Sequence, residues 1–184
     1  MLGRDDSMGR RRFLGLGAAA ATMALAPGLA MARDFGGTAR SLAFLNLHTG
    51  ERLKTTYWNS GDYVPGALDE INHILRDYVV NEVASIDVRL LDLLVALRAK
   101  MQSTEPFEII SGYRSPQTNA MLRAKSNGVA KHSLHMKAMA IDIHLPGRDL
   151  ASLRNAALDL QMGGVGYYPS SNFIHVDVGP VRHW

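Results

Sequence analysis

An α+β domain, with a small antiparallel sheet packed against helices, is the fold class this sequence predicts. Three observations predict it. Short segments that alternate apolar and polar residues recur along the chain at lengths suited to hairpins. Between them lie segments whose apolar residues return at helical spacing. The two kinds are intermixed, without the steady strand–helix alternation of a doubly wound sheet.

The elements follow in order. Residues 33–40 are a polar, glycine-containing lead without periodicity, expected as an extended tail. Residues 41–47 alternate as a strand, 48–51 read as a turn and 52–58 alternate again, which predicts a β-hairpin over 41–58. Asn59-Ser-Gly-Asp62 predicts a loop. Pro65 opens a helix on which Leu68, Ile71, Leu75 and Tyr78 share a face. A second helix follows Asp87, with Leu90, Leu91, Leu94, Leu97 and Met101 as its apolar stripe. Residues 107–110 form a short strand running into Ser111-Gly-Tyr-Arg-Ser115. Ser115 is a good N-cap and Pro116 suits the first helical position, so a third helix runs to about Lys125 and stops at Asn127-Gly128. Residues 139–145 alternate as a strand, and Asp149 caps a helix reaching about Gln161. Gly163-Gly164 then breaks the chain before a closing pair of strands.

The N-terminus has a different character. Arg10-Arg11-Arg12 precedes an Ala-, Gly- and Leu-rich run over 13–29 that closes on Ala30-Met31-Ala32. A charged start, a short apolar stretch and a small-x-small tripeptide describe an export signal over residues 1–32, and the paired arginines point to the twin-arginine route. The run is marginal as a bilayer span, being short and diluted by Gly and Thr. Removing residues 1–32 from 184 leaves 152, the size of one domain over 33–184. Arg4, Arg10, Arg11 and Arg12 against Asp5 and Asp6 hold +2 of the +3 net charge, so the domain itself carries +1. That charge gives no nucleic-acid footprint. The absence of cysteine leaves His, Asp and Glu as the strong candidate ligands for any metal, and suits an oxidising compartment.

The chemistry concentrates in the last third. Alternate side chains of a strand share a face, so Asp142 and His144 lie opposite the apolar row Met139, Ile141, Ile143, Leu145. In the last strand His175 and Asp177 lie opposite Ile174, Val176 and Val178. Side by side, the two strands gather Asp142, His144, His175 and Asp177 on one surface, and His135 reaches it from the approaching loop. His135, Asp142 and His175 are two imidazoles and a carboxylate, the usual protein share of a Zn2+ site that keeps one position open for water. For His144 alone a solvent-facing position is the simpler reading. Asp177 suits either of two roles, holding the tautomer of a ligand imidazole or acting as general base. His132 lines the cleft or caps a loop.

Several segments occur in a recognisable order: Ser111-Gly-Tyr-Arg-Ser115, Ser133-x-His135-x-x-Ala138-x-Ala140-x-Asp142, Gly163-Gly-Val-Gly166 and Phe173-x-His175-x-Asp177. Leu45-Asn-Leu-His-Thr-Gly-Glu51 and Gly179-Pro-Val-Arg-His-Trp184 flank them. This order resembles the M15 zinc peptidases, with their Hedgehog/D-Ala-D-Ala-peptidase fold, and within them the murein endopeptidase K branch. The resemblance implies a periplasmic enzyme with zinc on His135, Asp142 and His175. It implies that peptide crosslinks between peptidoglycan stem peptides are the substrate, 3-3 L,D links first and 4-3 D,D links by extension. It places Arg114 against the substrate carbonyl as oxyanion support. The polymeric substrate predicts an open cleft. A D,D-carboxypeptidase or dipeptidase on the same site, and a zinc-bearing wall-binding module without catalysis, are the alternatives.

Two positions depart from the family pattern. Ala138 stands where the family usually has Gly, a mild change wherever φ is negative. Asn172 stands where many members have a carboxylate, and it cannot accept a proton. The base is therefore assigned to Asp177.

Overall fold

The computed structural model describes residues 38–184 apart from Asn127. The expected export signal over 1–32 and most of the expected tail lie outside the described residues. Eight strands form one mixed sheet in the order β3-β2-β1-β4-β5-β7-β6-β8. The expected hairpin is β1 (Ala39–Asn46) and β2 (Arg52–Asn59), paired antiparallel. The loop after it contributes a two-residue strand, β3 (Asp62–Tyr63), on the edge of β2.

Among the described residues four helices complete the α+β architecture: α1 (Pro65–Ile74), α2 (Val88–Lys100), α3 (Pro116–Lys125) and α4 (Leu150–Leu160). Asp87, Ser115 and Asp149 cap α2, α3 and α4, each side chain accepting a backbone N–H of the first turn. The helix from Pro65 stops earlier than its apolar spacing suggests. Leu75 already leaves the helix, and its carbonyl accepts the Tyr113 N–H at 2.7 Å instead of continuing the helical ladder. Tyr78 falls in the following loop and is exposed. That loop is closed by reciprocal backbone bonds between Asp77 and Glu82.

The remaining strands build the centre of the sheet. β4 (Phe107–Ser111) pairs parallel with β1 and antiparallel with β5 (Ala140–His144). β7 (Phe173–Asp177) lies between β5 and β6 (Gly164–Tyr168), antiparallel to both. β8 (Arg182–His183) adds to β6 in parallel, and no spacing signal foretells so short a strand. The sheet is thus larger than expected and mixed, because β1–β4 and β6–β8 run parallel. The core runs through Leu42, Phe44, Phe107, Ile109, Ile141, Ile143, Ile174 and Val176, packed against Leu90, Leu91, Leu94 and Leu97 of α2. The apolar rows read from alternation enter this core and hold β5 and β7 in register, while Asp142, His175 and Asp177 on the opposite face are buried as well.

A short 3-10 turn, Leu134–Lys137, delivers the chain into β5 and ends at Ala138, whose φ is +54°. The condition under which alanine would be a mild change here, a negative φ, is not met. The left-handed conformation crowds Cβ against the backbone, so alanine here carries strain that glycine does not. Ala138→Gly is expected to raise the unfolding free energy by about 0.5–1 kcal/mol, less whatever is lost with the buried methyl. Denaturant unfolding checks this, and a lower or unchanged midpoint refutes it.

Candidate metal centre

The centre is built on the ladder between β5 and β7. Asp142 and His175 are direct partners across it, and Ala140 pairs with Asp177 one step along the same face. His135 arrives from the 3-10 turn, whose cap Ser133 accepts the His135 N–H at 3.3 Å. All three side chains are buried, and their ligating atoms converge. His135 Nε2 lies 3.2 Å from Asp142 Oδ1 and 3.1 Å from His175 Nδ1, while His175 Nδ1 lies 2.8 Å from the same Oδ1.

The outward nitrogens fix the tautomers. His135 Nδ1 is 2.7 Å from the Gly112 carbonyl, which only accepts, so Nδ1 carries the proton and Nε2 turns a lone pair inward. His175 Nε2 is 3.0 Å from Asp177 Oδ2, so Nε2 donates and Nδ1 turns its lone pair inward. With both imidazoles neutral, three electron-rich atoms face one another within 3.2 Å. A cation between them resolves the repulsion. Donors bound at about 2.0–2.1 Å around a tetrahedral ion stand about 3.4 Å apart. The three residues fit such an ion after a small outward adjustment.

Without an ion, protons take over part of that task. Burial alone would lower the His175 pKa, but the Asp142 and Asp177 carboxylates raise it above the ordinary histidine value. Burial alone would raise the Asp142 carboxyl, but the His135 and His175 imidazoles outweigh it and hold that carboxyl well below the usual range.

Asp177 sits behind His175, away from the convergent atoms, and is fully buried. Its carboxylate accepts from His175 Nε2, from Arg182 at 2.7 and 3.1 Å, and from the amides of Gly164 at 3.1 Å and Gly179 at 2.8 Å. Burial pushes its pKa up, but the His175, Arg182 and amide donors outweigh that and depress it far below the aspartate norm. A Cβ at Gly164 would collide with this carboxylate and with Arg182, which explains the glycine where the sequence shows only a break. Of the two roles open to Asp177, the geometry favours orienting His175 over taking a proton in the cleft.

An open cleft of about 400 Å³ leads to the three convergent atoms. Arg114, His132, Tyr168 and Phe173 line it, with Trp184 as one wall. Arg114 is held by Ser111 Oγ at 3.1 Å and stands 3.8 Å from Asp142 Oδ2, so it borders the centre. His144 stays apart, bonded to Glu108 of β4 at 2.9 Å, in keeping with its simpler reading. Asn172 ends the short 3-10 turn Pro169–Ser171 with φ +55°, a conformation asparagine tolerates well. A larger cavity, about 560 Å³, lies between β1, β2 and α2, but no cluster of three ligating side chains falls there among the described residues.

The 35–184 segment matches the peptidase M15 family model described as peptidoglycan L,D-endopeptidase MepK. The chain belongs to this family. The relative carrying that name in Escherichia coli is 46% identical over 175 residues, spanning 95% of this chain and 96% of its own. A Haemophilus influenzae relative, named probable peptidoglycan L,D-endopeptidase MepK, is 39% identical over 176 residues, 95% of each chain. Membership in this peptidase family makes the chain an enzyme by descent.

Two residues of the centre escape sequence reasoning. Arg182 and Trp184 are legible only as part of the terminal flank, yet Arg182 clamps Asp177 and Trp184 stands 5.2 Å, ring to ring, from His175. The indole occupies space that a side chain at Gly166, the β6 partner of His175, would fill, and its Nε1–H donates to Tyr168 Oη at 2.7 Å. The signal available was the pair of glycines, 164 and 166, that make room for them.

Because the Asp177 pKa is depressed on folding, its stabilisation is present above the ordinary aspartate range and is lost as pH falls below about 4. Asp177→Asn is expected to cost about 2–4 kcal/mol at neutral pH and to flatten the loss of stability between about pH 4 and 2. Denaturant titrations of the metal-free protein across that range read both effects, and an unchanged acid slope refutes the assignment.

Proposed function

We propose that this chain is a periplasmic, zinc-dependent endopeptidase that hydrolyses peptide crosslinks of peptidoglycan, the diaminopimelate–diaminopimelate 3-3 links foremost. The observation that carries the reading is the convergence of three inward lone pairs on His135, Asp142 and His175 beside the Arg114 guanidinium. The names borne by the relatives supply the substrate class. Residues 1–32 act as a twin-arginine export signal, and residues 33–184 are the peptidase domain. Among the described residues no helix is long and apolar enough to cross a membrane. The mass of the protein recovered from the periplasm checks the signal: retention of residues 1–32 sinks that part of the reading.

His135, Asp142 and His175 would hold the ion. Zinc, when bound, supplies Lewis acidity that draws the pKa of a water toward neutrality and polarises an amide carbonyl. Arg114 presents its guanidinium to the oxyanion that develops on that carbonyl. Asp177, itself locked by Arg182, keeps the His175 Nε2 proton in place and so keeps Nδ1 free to ligate. With Asp177 so engaged, the imidazole left in the cleft to move a proton is His132, which is exposed and outside the convergent set.

Digestion of purified 3-3 and 4-3 muropeptide dimers, with products read by mass, tests the function. Zinc-loaded protein is expected to cleave the 3-3 dimer and to lose that activity on chelation; no cleavage of either dimer refutes an endopeptidase. Arg114→Ala is expected to lower kcat about 10²–10³-fold. His132→Gln is expected to lower it about 10²-fold with the zinc content unchanged. Wild-type turnover in His132→Gln would remove that residue from the reaction.

A further inference from the structure

A second cavity, about 240 Å³, opens on the other side of Arg114. Arg114 and Asp142 line both this cavity and the cleft over the convergent atoms, so the two adjoin there as two arms flanking that pair. Resting on the endopeptidase reading of the convergent atoms, we propose that the second arm is the binding site for the other stem peptide of the crosslink. A carboxypeptidase needs room beyond the scissile bond for one terminal residue. An endopeptidase needs room for chain on both sides, and the two adjoining cavities offer it.

The walls of the second arm fit an aliphatic, amide-bearing chain. Tyr78, Val79 and Leu122 line it and remain 43%, 50% and 37% exposed, a run of apolar surface that the fold leaves open. Such walls suit the methylene chain of a crosslinking diaminopimelate residue. The wall is also rigid. His48 stacks on Tyr78 with ring centroids 4.2 Å apart, and His48 Nε2 is tied to the Ile110 carbonyl at 2.9 Å. The buried Asp77 carboxylate takes the Val79 N–H at 3.0 Å and the Ser115 N–H at 2.8 Å. That carboxylate therefore binds the wall loop directly to the segment carrying Arg114. Tyr113 Oη donates to Glu82 at 2.7 Å and secures the far end of the loop. A preformed wall binds chain without the entropy cost of ordering a loop.

The test compares a crosslinked 3-3 muropeptide dimer with the uncrosslinked monomer, using zinc-loaded protein. Val79→Trp fills the arm from an exposed position, and Tyr78→Ser removes one wall. Each is expected to raise KM for the dimer about 10-fold with a smaller change in kcat, and to leave the affinity for monomer within about 2-fold. An unchanged dimer KM in both variants, or equal weakening of dimer and monomer, overturns the proposal. If the wild type cleaves no dimer, the endopeptidase reading fails by itself, and calorimetric binding of the intact dimer decides the second arm. Dimer binding about 10-fold tighter than monomer, abolished by Val79→Trp, supports it; equal affinities overturn it.

Discussion

The pairing of Asp142 with His175 across the β5–β7 ladder is the constraint on which the rest of the site depends. A one-residue slip of either strand would send its own polar side chain into the core and bring Ile141 or Val176 out. The buried rows on the opposite face make such a slip costly, since Ile141 and Ile143 of β5, or Ile174 and Val176 of β7, would leave the core. The hydrophobic core thus sets the position of two polar atoms that never touch it. His135 is then added by a turn whose geometry is local, fixed by Ser133 at one end and the left-handed Ala138 at the other.

Around that pair the structure places three close-approach glycines and the Arg182 clamp on the buried Asp177. Gly166 lies opposite His175 and yields its side-chain space to Trp184. Gly164 yields space to the Asp177–Arg182 pair. Gly112 lets the backbone press against the Leu75 carbonyl, which places its own carbonyl on His135 Nδ1. Each glycine serves a close approach that positions a side chain of the centre or its support. Removing any one of them would shift an imidazole, not merely a loop.

Much of this was legible from residue order. Alternation placed Asp142, His175 and Asp177 on one face, because period two is a local property of a strand. Helix starts were legible at Asp87, Ser115 and Asp149, because a cap is a side chain bonding its own neighbourhood. What escaped depends on partners distant in sequence. The early end of α1 follows from Tyr113 capturing the Leu75 carbonyl, which no window around residue 75 contains. The saturation of Asp177 follows from Arg182 and two amides brought in by β6 and the last turn. Its apparent suitability as a base was a reading of residue type without its donors. The strained φ at Ala138 has the same origin, since it is the entry angle into β5 that demands it.

The fixed spacing of the convergent atoms also bears on which ions the site can tell apart. Two imidazole nitrogens and one carboxylate oxygen lie within 3.2 Å of one another, and the sheet ladder and the Gly112 carbonyl limit how far they can separate. Calcium asks for six or more oxygen ligands at longer range, and magnesium for an octahedral oxygen shell, so both are refused by donor type and by geometry. Late first-row divalent ions share the preference for nitrogen and tolerate a compact shell. Among them the donor set offers little discrimination beyond the intrinsic affinity order, so an ion held by these three residues would be chosen largely by supply.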